Sequence, residues 1–507
     1  MLEVQGRFHF ITLTTDDQMP AVNLLGQPYA GKSLIASGQQ SINVYAEAND
    51  KSAPVPITYY QFPGNELFST PLNQGMSRGS YRTSTGTVYS VVGPTVYLVQ
   101  VNGNMLFVGS IPDRASQVSM YDNGLVVVLV DGSTLGYAID MATNNFGQII
   151  DPSFYGADVV RFLDTFFVFN RPGTNQFYIS LSMVDFALLT AGTSFDPLDI
   201  AAKSGNADPI STILVIQKNL WLIGELTTEP WIGTGAADFY FKQILGTFIN
   251  HGCIAKYSAV AIDVVGFWLM QDLQGKNIIM RTKGYDVEEV STPYLVSQFN
   301  TYETTDDAIG MVLQIGDHAF YILVFPTANI TWAMELTTGY WFQLAKWNTA
   351  TGLFDRYRAN NCCFAFGLNL VGDYATGKLY KLNPNLATDG GDNMKFIRTF
   401  IHMVGPEFQR VIYKNASLNI EPGTSTKEVG SLDEDNEPEI FLSWSDDRGK
   451  TYGTPLPQSL GRQGEYLTDP QWNRLGNARD RIFKAEWNGP VITALNGAFV
   501  EAQSLRT

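Results

Sequence analysis

A short strand-like segment recurs seven times along the chain, and most copies run into Gly, Asp or Asn. The copies are residues 88–93, 125–132, 166–170, 220–224, 267–272, 319–325 and 368–373. They are rich in β-branched and aromatic residues, and they lie about 40 to 55 residues apart, which is the period of four-stranded propeller blades. The repeat predicts an all-β chain built on a β-propeller of six or seven blades. Because a propeller is a scaffold, its function must be sought in what is attached to it.

Hairpins and one helix complete the local prediction. In several copies a second strand follows the repeated one after a turn, as at residues 93–99, 275–281 and 377–382. Helix signals are few. In the best one, residues 291–299, Thr292 can cap and Pro293 takes the first helical position, which predicts a short helix between two blades.

The chain divides into three predicted parts. Residues 1–65 read as an irregular, polar N-terminal segment, residues 66–395 as the propeller and residues 396–507 as a β-sandwich. The sandwich is predicted from longer strands at residues 417–420, 439–444 and 481–487. Within it, residues 427–439 are acidic and lack an apolar period, which favours a solvated loop; the alternative is a contact loop for a basic partner.

Composition and charge exclude several classes of protein. With 45% hydrophobic and 16% charged residues, the chain is typical of an ordered globular protein. The formal net charge of −16 argues against tight phosphate binding by a basic face, and it remains compatible with DNA that passes nearby without sticking. Three cysteines give no disulfide framework, which indicates assembly in a reducing cytoplasm. We expect neither a signal peptide nor a membrane anchor.

A complete Walker A string spans residues 26–33. In a phosphate-binding loop Lys32 would contact the β and γ phosphates and Ser33 the magnesium ion, and Asp131 ends a distant Walker B look-alike. Such a loop must open a helix, but the residues that follow include an early Gly38 and later β-branched residues. The flanks also read as all-β, with no alternation of strands and helices. We interpret the string as a Gly-rich turn and predict no cofactor.

Residues 445–452 resemble the Asp-box of sialidases, with Tyr452 in the place of Trp. In this turn Asp447 is expected to accept backbone N–H bonds, Gly449 to take positive φ and the aromatic ring to pack beneath. A sialidase would also need an arginine cluster and a Tyr–Glu nucleophile pair, which spacing alone does not locate. The string therefore predicts a structural turn. A glycan-binding or glycan-hydrolysing propeller is the alternative function.

Candidate metal ligands are scattered. His251 and Cys253 are close in sequence, while Cys362 and Cys363 are neighbours that would point to opposite faces of a strand. No second pair with metal-ligand spacing accompanies them. The remaining histidines are His9, His318 and His402. We predict no metal site and no catalytic constellation.

A series of short motifs occurs in order along nearly the whole chain, from about residue 33 to residue 499. The first contains Gln40, Asn43, Tyr45 and Glu47 and is followed by a Pro-Gly turn at residues 63–64. The others are residues 78–81 with 88–93, 220–224 with 227–231, 325–326 with 331–332, 371–373 with 377–380, 443–452, 460–461, 464–466 and 472–480. In this order they resemble the packaged-DNA stabilisation proteins of short-tailed phages (podoviruses), the tail hub or nozzle family. Val44 and Ala46 stand where that family often has Leu and Pro.

The resemblance implies a structural virion protein of the phage tail that is not an enzyme. Proteins of this family form a homo-hexameric ring below the portal and adaptor, extend the DNA channel, retain packaged DNA and let it pass at ejection. The implied partners are the adaptor (the head-to-tail connector), other tail proteins such as fibres or a needle or plug, and double-stranded DNA that crosses the lumen without sequence-specific binding. The implied location is the virion, after assembly in the host cytoplasm. We expect the N-terminal segment and the sandwich to form the platform that meets the adaptor, with the propellers outside.

Overall fold

The computed structural model describes residues 22–26, 28, 31, 38–50, 52–53, 55–236, 238–272, 274–421, 438–461, 465 and 467–504. Within these residues the chain is nearly all β. Its helices are α1 (Phe186–Ala191), α2 (Pro293–Phe299) and two single-turn 3-10 helices, Lys256–Ser258 and Pro406–Phe408. The hydroxyl of Thr292 accepts a hydrogen bond from the Leu295 N–H, and Pro293 opens α2, so the predicted helix is confirmed.

Five short strands precede the first complete blade. They are β1 (Val22–Asn23), β2 (Ser41–Ile42), β3 (Val44–Ala48), β4 (Ile57–Gln61) and β5 (Gly64–Ser69). The segment up to residue 65, which reads as irregular in the sequence, therefore contains strands in its described part. These strands have only two to six residues, and most of them pair with strands far along the chain, so they leave little trace in local hydrophobic periodicity.

Five antiparallel sheets of four consecutive strands follow. The first is β6 (Ser77–Arg82), β7 (Val88–Val92), β8 (Thr95–Val99) and β9 (Met105–Ser110), and the second is β10 (Ser119–Asp122), β11 (Val126–Val130), β12 (Gly136–Asp140) and β13 (Phe146–Gln148). The third is β14 (Val160–Leu163), β15 (Phe166–Asn170), β16 (Gln176–Ile179) and β17 (Ile200–Ala202), and the fourth is β18 (Ile210–Ile216), β19 (Asn219–Gly224), β20 (Thr228–Gly233) and β21 (Phe241–Gln243). The fifth is β22 (Val260–Ile262), β23 (Val265–Gln271), β24 (Asn277–Lys283) and β25 (Asp286–Glu289).

Two further four-stranded units complete a ring of seven blades. The sixth is β26 (Ile309–Ile315), β27 (His318–Phe325), β28 (Ile330–Glu335) and β29 (Trp341–Asn348), to which β30 (Leu353–Arg356) is added; the seventh is β31 (Ala359–Ala365), β32 (Leu368–Asp373), β33 (Leu379–Asn383) and β5. Because β5 pairs with β33, a strand that precedes the first blade becomes the outer strand of the last and closes the ring. The first strands β6, β10, β14, β18, β22, β26 and β31 contact one another in turn around the centre, and β31 returns to β6.

The seven repeated segments of the sequence are the second strands of the seven blades. These are β7, β11, β15, β19, β23, β27 and β32, and β7, β11 and β19 are buried at every position. A second strand has hydrogen-bonded neighbours on both sides and a blade packed on each face. Its sequence is therefore an uninterrupted apolar run rather than an alternating one. Apolar clusters fill the space between successive blades all around the ring, which confirms the predicted propeller.

Strands β34 (Thr388–Asp389) and β35 (Asp392–Asn393) extend the sheet of the seventh blade beyond β5. The carboxyl-terminal strands that follow form a sandwich with the N-terminal ones. They are β36 (Phe396–Val404), β37 (Val411–Ile420), β38 (Glu439–Ser445), β39 (Leu456–Ser459), β40 (Gln471–Asn473), β41 (Asn477–Ala478), β42 (Asp480–Trp487) and β43 (Ala494–Ser504). One sheet has the order β3-β4-β43-β37-β40, with β1 on β43 and β41 on β37. The other runs β2-β36-β42-β38-β39. The strands predicted for this domain are confirmed, whereas most of the acidic stretch lies outside the described residues.

Strand β2 joins the propeller to the sandwich. It pairs in parallel with β29 of the sixth blade and antiparallel with β36, so one sheet continues from a blade into the sandwich. Strands β1 and β4 both pair with β43 in the facing sheet. The predicted domain boundaries after residues 65 and 395 stay predictions.

Candidate functional sites at the domain joint and the propeller centre

The joint between propeller and sandwich is centred on Asn43, which is fully buried and has a φ of 59°. Its amide nitrogen donates to the carbonyls of Ala345 and Lys395 at 2.8 and 2.9 Å, and its side-chain oxygen accepts from the Ala345 N–H at 2.9 Å. Asn tolerates this left-handed conformation better than most residues. One side chain thus links the last strand of the sixth blade to the start of the sandwich.

Arg398 on β36 holds the N-terminal strands from the sandwich side. Its guanidinium donates to Ser41 Oγ and to the Gly26 carbonyl at 3.0 Å each, and to Gln39 Oε1 at 2.6 Å. It also lies 4.3 Å above the ring of Tyr59. Burial lowers the pKa of Arg398, and the partners named here are all neutral. This part of the joint is therefore held by hydrogen bonds and ring stacking.

Aromatic rings fill the propeller side of the joint. Phe62 and Tyr45 approach Phe320 of the sixth blade edge-on, with centroid distances of 5.5 and 5.1 Å, and Phe62 approaches Tyr357 in the same way at 5.9 Å. Tyr45 also contacts His318, whose ring nitrogens lie near two glutamates. The first motif of the phage resemblance is therefore built into the joint.

The motif that contains Thr227 and Glu229 fixes the contact between the third and fourth blades. The buried ammonium of Lys203 donates to Asp208 Oδ1 at 2.8 Å and to the hydroxyl of Thr227 at 2.8 Å. Glu229 is fully buried and accepts a hydrogen bond from the Gly205 N–H at 2.8 Å. Each of these buried charged groups has hydrogen-bond partners within the propeller. We interpret them as structural groups that hold the third and fourth blades together.

A cavity of about 560 Å³ occupies the centre of the propeller and is lined by the first strands of the seven blades. Much of its wall is neutral, with small side chains such as Ser80 and Ala261. Gly79 and Gly310 let neighbouring blades approach closely here, since a Cβ at either position would overlap the backbone of the next blade. The volume is that of a site for a small molecule.

Four charged residues border this central cavity, Arg78, Arg161, Lys256 and Asp263, although the side chain of Arg78 is fully buried. Two of them have partners, because Arg78 pairs with Asp131 at 3.1 Å and Lys256 pairs with Asp158. Asp263 is the one carboxylate among the described residues of the wall. The Tyr–Glu pair and arginine cluster of a sialidase are thus not assembled by the described wall. Local sequence gave no signal for this site, since its residues come from separate blades.

The Walker A string falls partly outside the described residues, which include neither Lys32 nor Ser33. The Gly26 carbonyl accepts hydrogen bonds from Arg398 and from the Tyr59 hydroxyl. Asp131, the Walker B candidate, lies in the second blade, where it accepts a hydrogen bond from Ser133 Oγ at 2.6 Å and pairs with an arginine. Gly26 and Asp131 thus both have structural partners within the fold.

The Asp-box look-alike forms the predicted turn after β38. Asp447 accepts hydrogen bonds from the backbone N–H groups of Lys450 and Thr451 at 3.0 and 2.9 Å, and Gly449 has a φ of 83°. Hydrogen bonds from Ser445 and Thr451 hold the pKa of the Asp447 carboxyl well below its usual range. The turn lies in the sandwich, away from the central cavity.

Cys253 is buried, and Cys362 and Cys363 are half-buried. Burial raises the pKa of Cys253, Cys362 and Cys363 to about 12 in each case. Cys362 packs toward the sixth blade and Cys363 toward the first, so the adjacent thiols do point to opposite faces. His402 pairs with Asp480, and His9 lies outside the described residues. In the described part of the chain no group of three or more His, Cys, Asp or Glu side chains could hold a metal ion.

Among the described residues, no helix combines the length and the apolar character that a membrane span requires.

Several solved structures are similar to this chain at low identity. A streptogramin B lyase is 12% identical, with 63% of this chain and 97% of the other covered and a TM-score of 0.40. The WD40 β-propeller domain of Doa1 is 12% identical over 63% and 97%, with a TM-score of 0.39. The N-terminal domain of Nup159 is 10% identical over 68% and 98%, also with a TM-score of 0.39. No curated protein sequence matches the chain.

Family models match both structural parts of the chain. The β-propeller model of bacteriophage P22 Gp10 matches residues 39–387, which cover β2 to β33. The β-sandwich model of the same protein matches residues 397–503, which cover most of the strands from β36 to β43. The chain belongs to the bacteriophage P22 Gp10 family, a family of phage structural proteins.

Proposed function

We propose that this phage tail protein is a ring-forming tail hub or nozzle. In this role it extends the DNA channel below the portal and adaptor, retains packaged DNA and lets it pass at ejection. The observation that carries the proposal is the match of both domains, in order, to one phage structural family. The proposed assembly is a homo-hexamer that binds the adaptor on one side and fibres or a needle or plug protein on the other.

The size of the central cavity supports a DNA channel that lies between subunits. At about 560 Å³, that cavity has the volume of a small-molecule pocket, and a double helix would not fit through it. A duct for DNA must then be enclosed by several copies of the chain. Heterologous contacts that close by rotation produce such a ring.

The shared strands support the sandwich and N-terminal segment as one platform. Strands β1, β3 and β4 lie in one sheet of the sandwich and β2 lies in the other. We propose that this platform meets the adaptor and lines the ring, with the propellers outside. The buried side chains Asn43 and Arg398 would then transmit force between platform and propeller.

The acidic character of the chain supports passage without adhesion. A formal net charge of −16 repels the phosphate backbone, so DNA would slide past the wall rather than bind it. Sequence-specific contacts are not part of the proposal.

We propose further that the chain is not an enzyme. The glycan-hydrolysing alternative needs a nucleophile pair and a set of free arginines. The described wall of the central cavity offers Arg161 as its one arginine without an acidic partner, and no glutamate. A test with a sialoside or a capsule polysaccharide would reveal hydrolysis directly.

Electron microscopy of the full chain bound to a portal–adaptor complex tests the ring. We expect six copies around one channel, with the sandwich against the adaptor and the propellers at the periphery. Propellers packed against the channel with the sandwich free would contradict the platform. A chain that stays monomeric with the adaptor would contradict the ring itself.

Phage particles that lack the protein test DNA retention. They should package DNA and then lose it, which nuclease sensitivity of the released DNA measures. Heads that stay full would contradict the proposed retention of DNA. They would not bear on the proposed ring, which electron microscopy tests separately.

A further inference from the structure

Arg161 has free hydrogen-bond donors at the centre of the propeller. It lies on β14, and one terminal nitrogen donates to Ser119 Oγ at 3.2 Å and to the Val160 carbonyl at 2.8 Å. The remaining N–H groups of its guanidinium have no partner among the described residues, and no described carboxylate forms an ion pair with it. An arginine carries five N–H donors in a rigid plane, so most of its binding capacity is unused.

The surroundings of Arg161 do not neutralise its charge. Burial lowers the pKa of Arg161, and the interactions with the phenols of Tyr121 and Tyr81 work against that change. The Tyr81 hydroxyl already donates to Asp122 at 2.7 Å. Asp263 sits in the exposed turn between β22 and β23 and forms no described ion pair with Arg161. Arg161 is half-buried at the wall of the cavity, so an anion bound there would supply the charge compensation and the hydrogen-bond acceptors that the described protein groups do not.

The space in front of Arg161 admits a small ligand. The cavity measures about 560 Å³, and small neutral side chains such as Ser80 and Ala261 form part of the wall. The guanidinium fork matches the paired oxygens of a carboxylate or a phosphate. We propose that the centre of the propeller is a binding site for a small oxyanion, which Arg161 holds through its free donors.

Two probes identify the oxyanion: inorganic phosphate and acetate. Each is titrated into the full-length chain at constant ionic strength, with chloride as the replaced ion, and the unfolding midpoint and the heat of binding are measured. We expect a saturable rise in the midpoint with at least one probe, because a ligand that binds the folded state stabilises it. The more effective probe distinguishes a phosphate site from a carboxylate site. A wild-type chain that shows no saturable response to either probe would overturn the proposal.

The variant Arg161→Met removes the charge and keeps much of the side-chain volume. It should bind the probe about tenfold more weakly or worse, since hydrogen bonds to a charged group are lost. The matched control is Arg281→Met, which removes an arginine paired with Glu288 on the outer part of the fifth blade. The control should respond to the probe as the wild type does. An equal response in wild type and Arg161→Met would overturn the proposal.

Stability without the probe separates binding from a structural role. Arg161→Met loses the hydrogen bonds to Ser119 Oγ and the Val160 carbonyl but no described ion pair, so its unfolding midpoint in chloride should fall only slightly below that of the wild type. Arg161→Lys supplies a second variant, which keeps the charge but loses the planar fork, and it should bind with intermediate affinity. If the variants are destabilised but their folded fraction binds the probe as the wild type does, Arg161 has only a structural role and the proposal is overturned.

Discussion

Two buried arginines show how single residues fasten the parts of this molecule in different ways. Arg358 lies in the seventh blade and donates to Asp389 at 2.7 Å and to Asp373 at 3.0 Å. Burial works against its charge, but the hydrogen bond and charge of Asp389 outweigh it and raise the pKa of Arg358. Arg398 at the domain joint has neutral partners, and burial lowers its pKa. Arg358 is therefore held by ion pairs within the propeller. Arg398 is held by hydrogen bonds to neutral groups at the domain joint, and these depend on where the accepting oxygens are placed.

Asn43→Ala should weaken the joint between the domains. The change removes three hydrogen bonds and leaves an alanine at a φ of 59°, a left-handed conformation that Ala adopts less readily than Asn does. We expect a loss of about 2 to 4 kcal/mol in the free energy of unfolding. Urea unfolding followed by tryptophan fluorescence measures it.

Asn43→Gly is the matched control for this prediction. Glycine accepts the left-handed conformation, so it isolates the loss of the hydrogen bonds from the backbone strain. It should be destabilised as well, but less than Asn43→Ala. If both variants unfold at the same urea midpoint as the wild type, the joint does not depend on the side chain of Asn43.

At the scale of elements, the second strands of the blades were predictable and the shortest strands were not. Strands such as β11 and β19 are buried on both faces, so their hydrophobic runs are visible in the sequence without any tertiary information. Strand β2 has two residues, and its pairing with β29 and β36 spans about 300 residues or more of chain. Helix α1, capped by Asp185 and ended by Gly192, was also too short for a clear hydrophobic period.

The candidate site was less predictable than the fold. Arg161 and Ser119 meet across two blades, and neither lies in a motif with chemical spacing. The resemblance motifs, by contrast, mark structural joints, as Asn43 and Glu229 show. Local sequence motifs therefore predicted residues that pack at joints. The central cavity could not be predicted from them, because it forms only when the ring of blades closes.

Leu67→Pro should destabilise the propeller more than Leu106→Pro does. Both leucines lie in outer strands, β5 and β9, and both are about half exposed, at 49% and 45%. Proline interferes with pairing in either strand. Only β5 joins residues from the start of the chain to the last blade, so its loss also opens the ring. Thermal unfolding of both variants measures the difference, and equal midpoints would contradict a closing role for β5.

At the scale of the whole molecule, the two domains are coupled through the N-terminal strands. A single sheet runs from β26 in the sixth blade through β2 to β39 in the sandwich. The same N-terminal stretch supplies β1, β3 and β4 to the facing sheet and β5 to the seventh blade. The chain start is thus shared between both domains, which favours cooperative unfolding of propeller and sandwich.

A cut between β5 and β6 should leave the molecule assembled. Cleavage at a protease site inserted within residues 70–76 would break the covalent link between the N-terminal fragment and the rest of the chain. The strands of that fragment would stay paired with β43, β36, β29 and β33. Buried contacts of Asn43 and Phe62 add to that pairing. We expect the two fragments to elute together in size-exclusion chromatography under native conditions and to separate only in denaturant. Separation in native buffer would show that covalent continuity, rather than strand sharing, couples the domains.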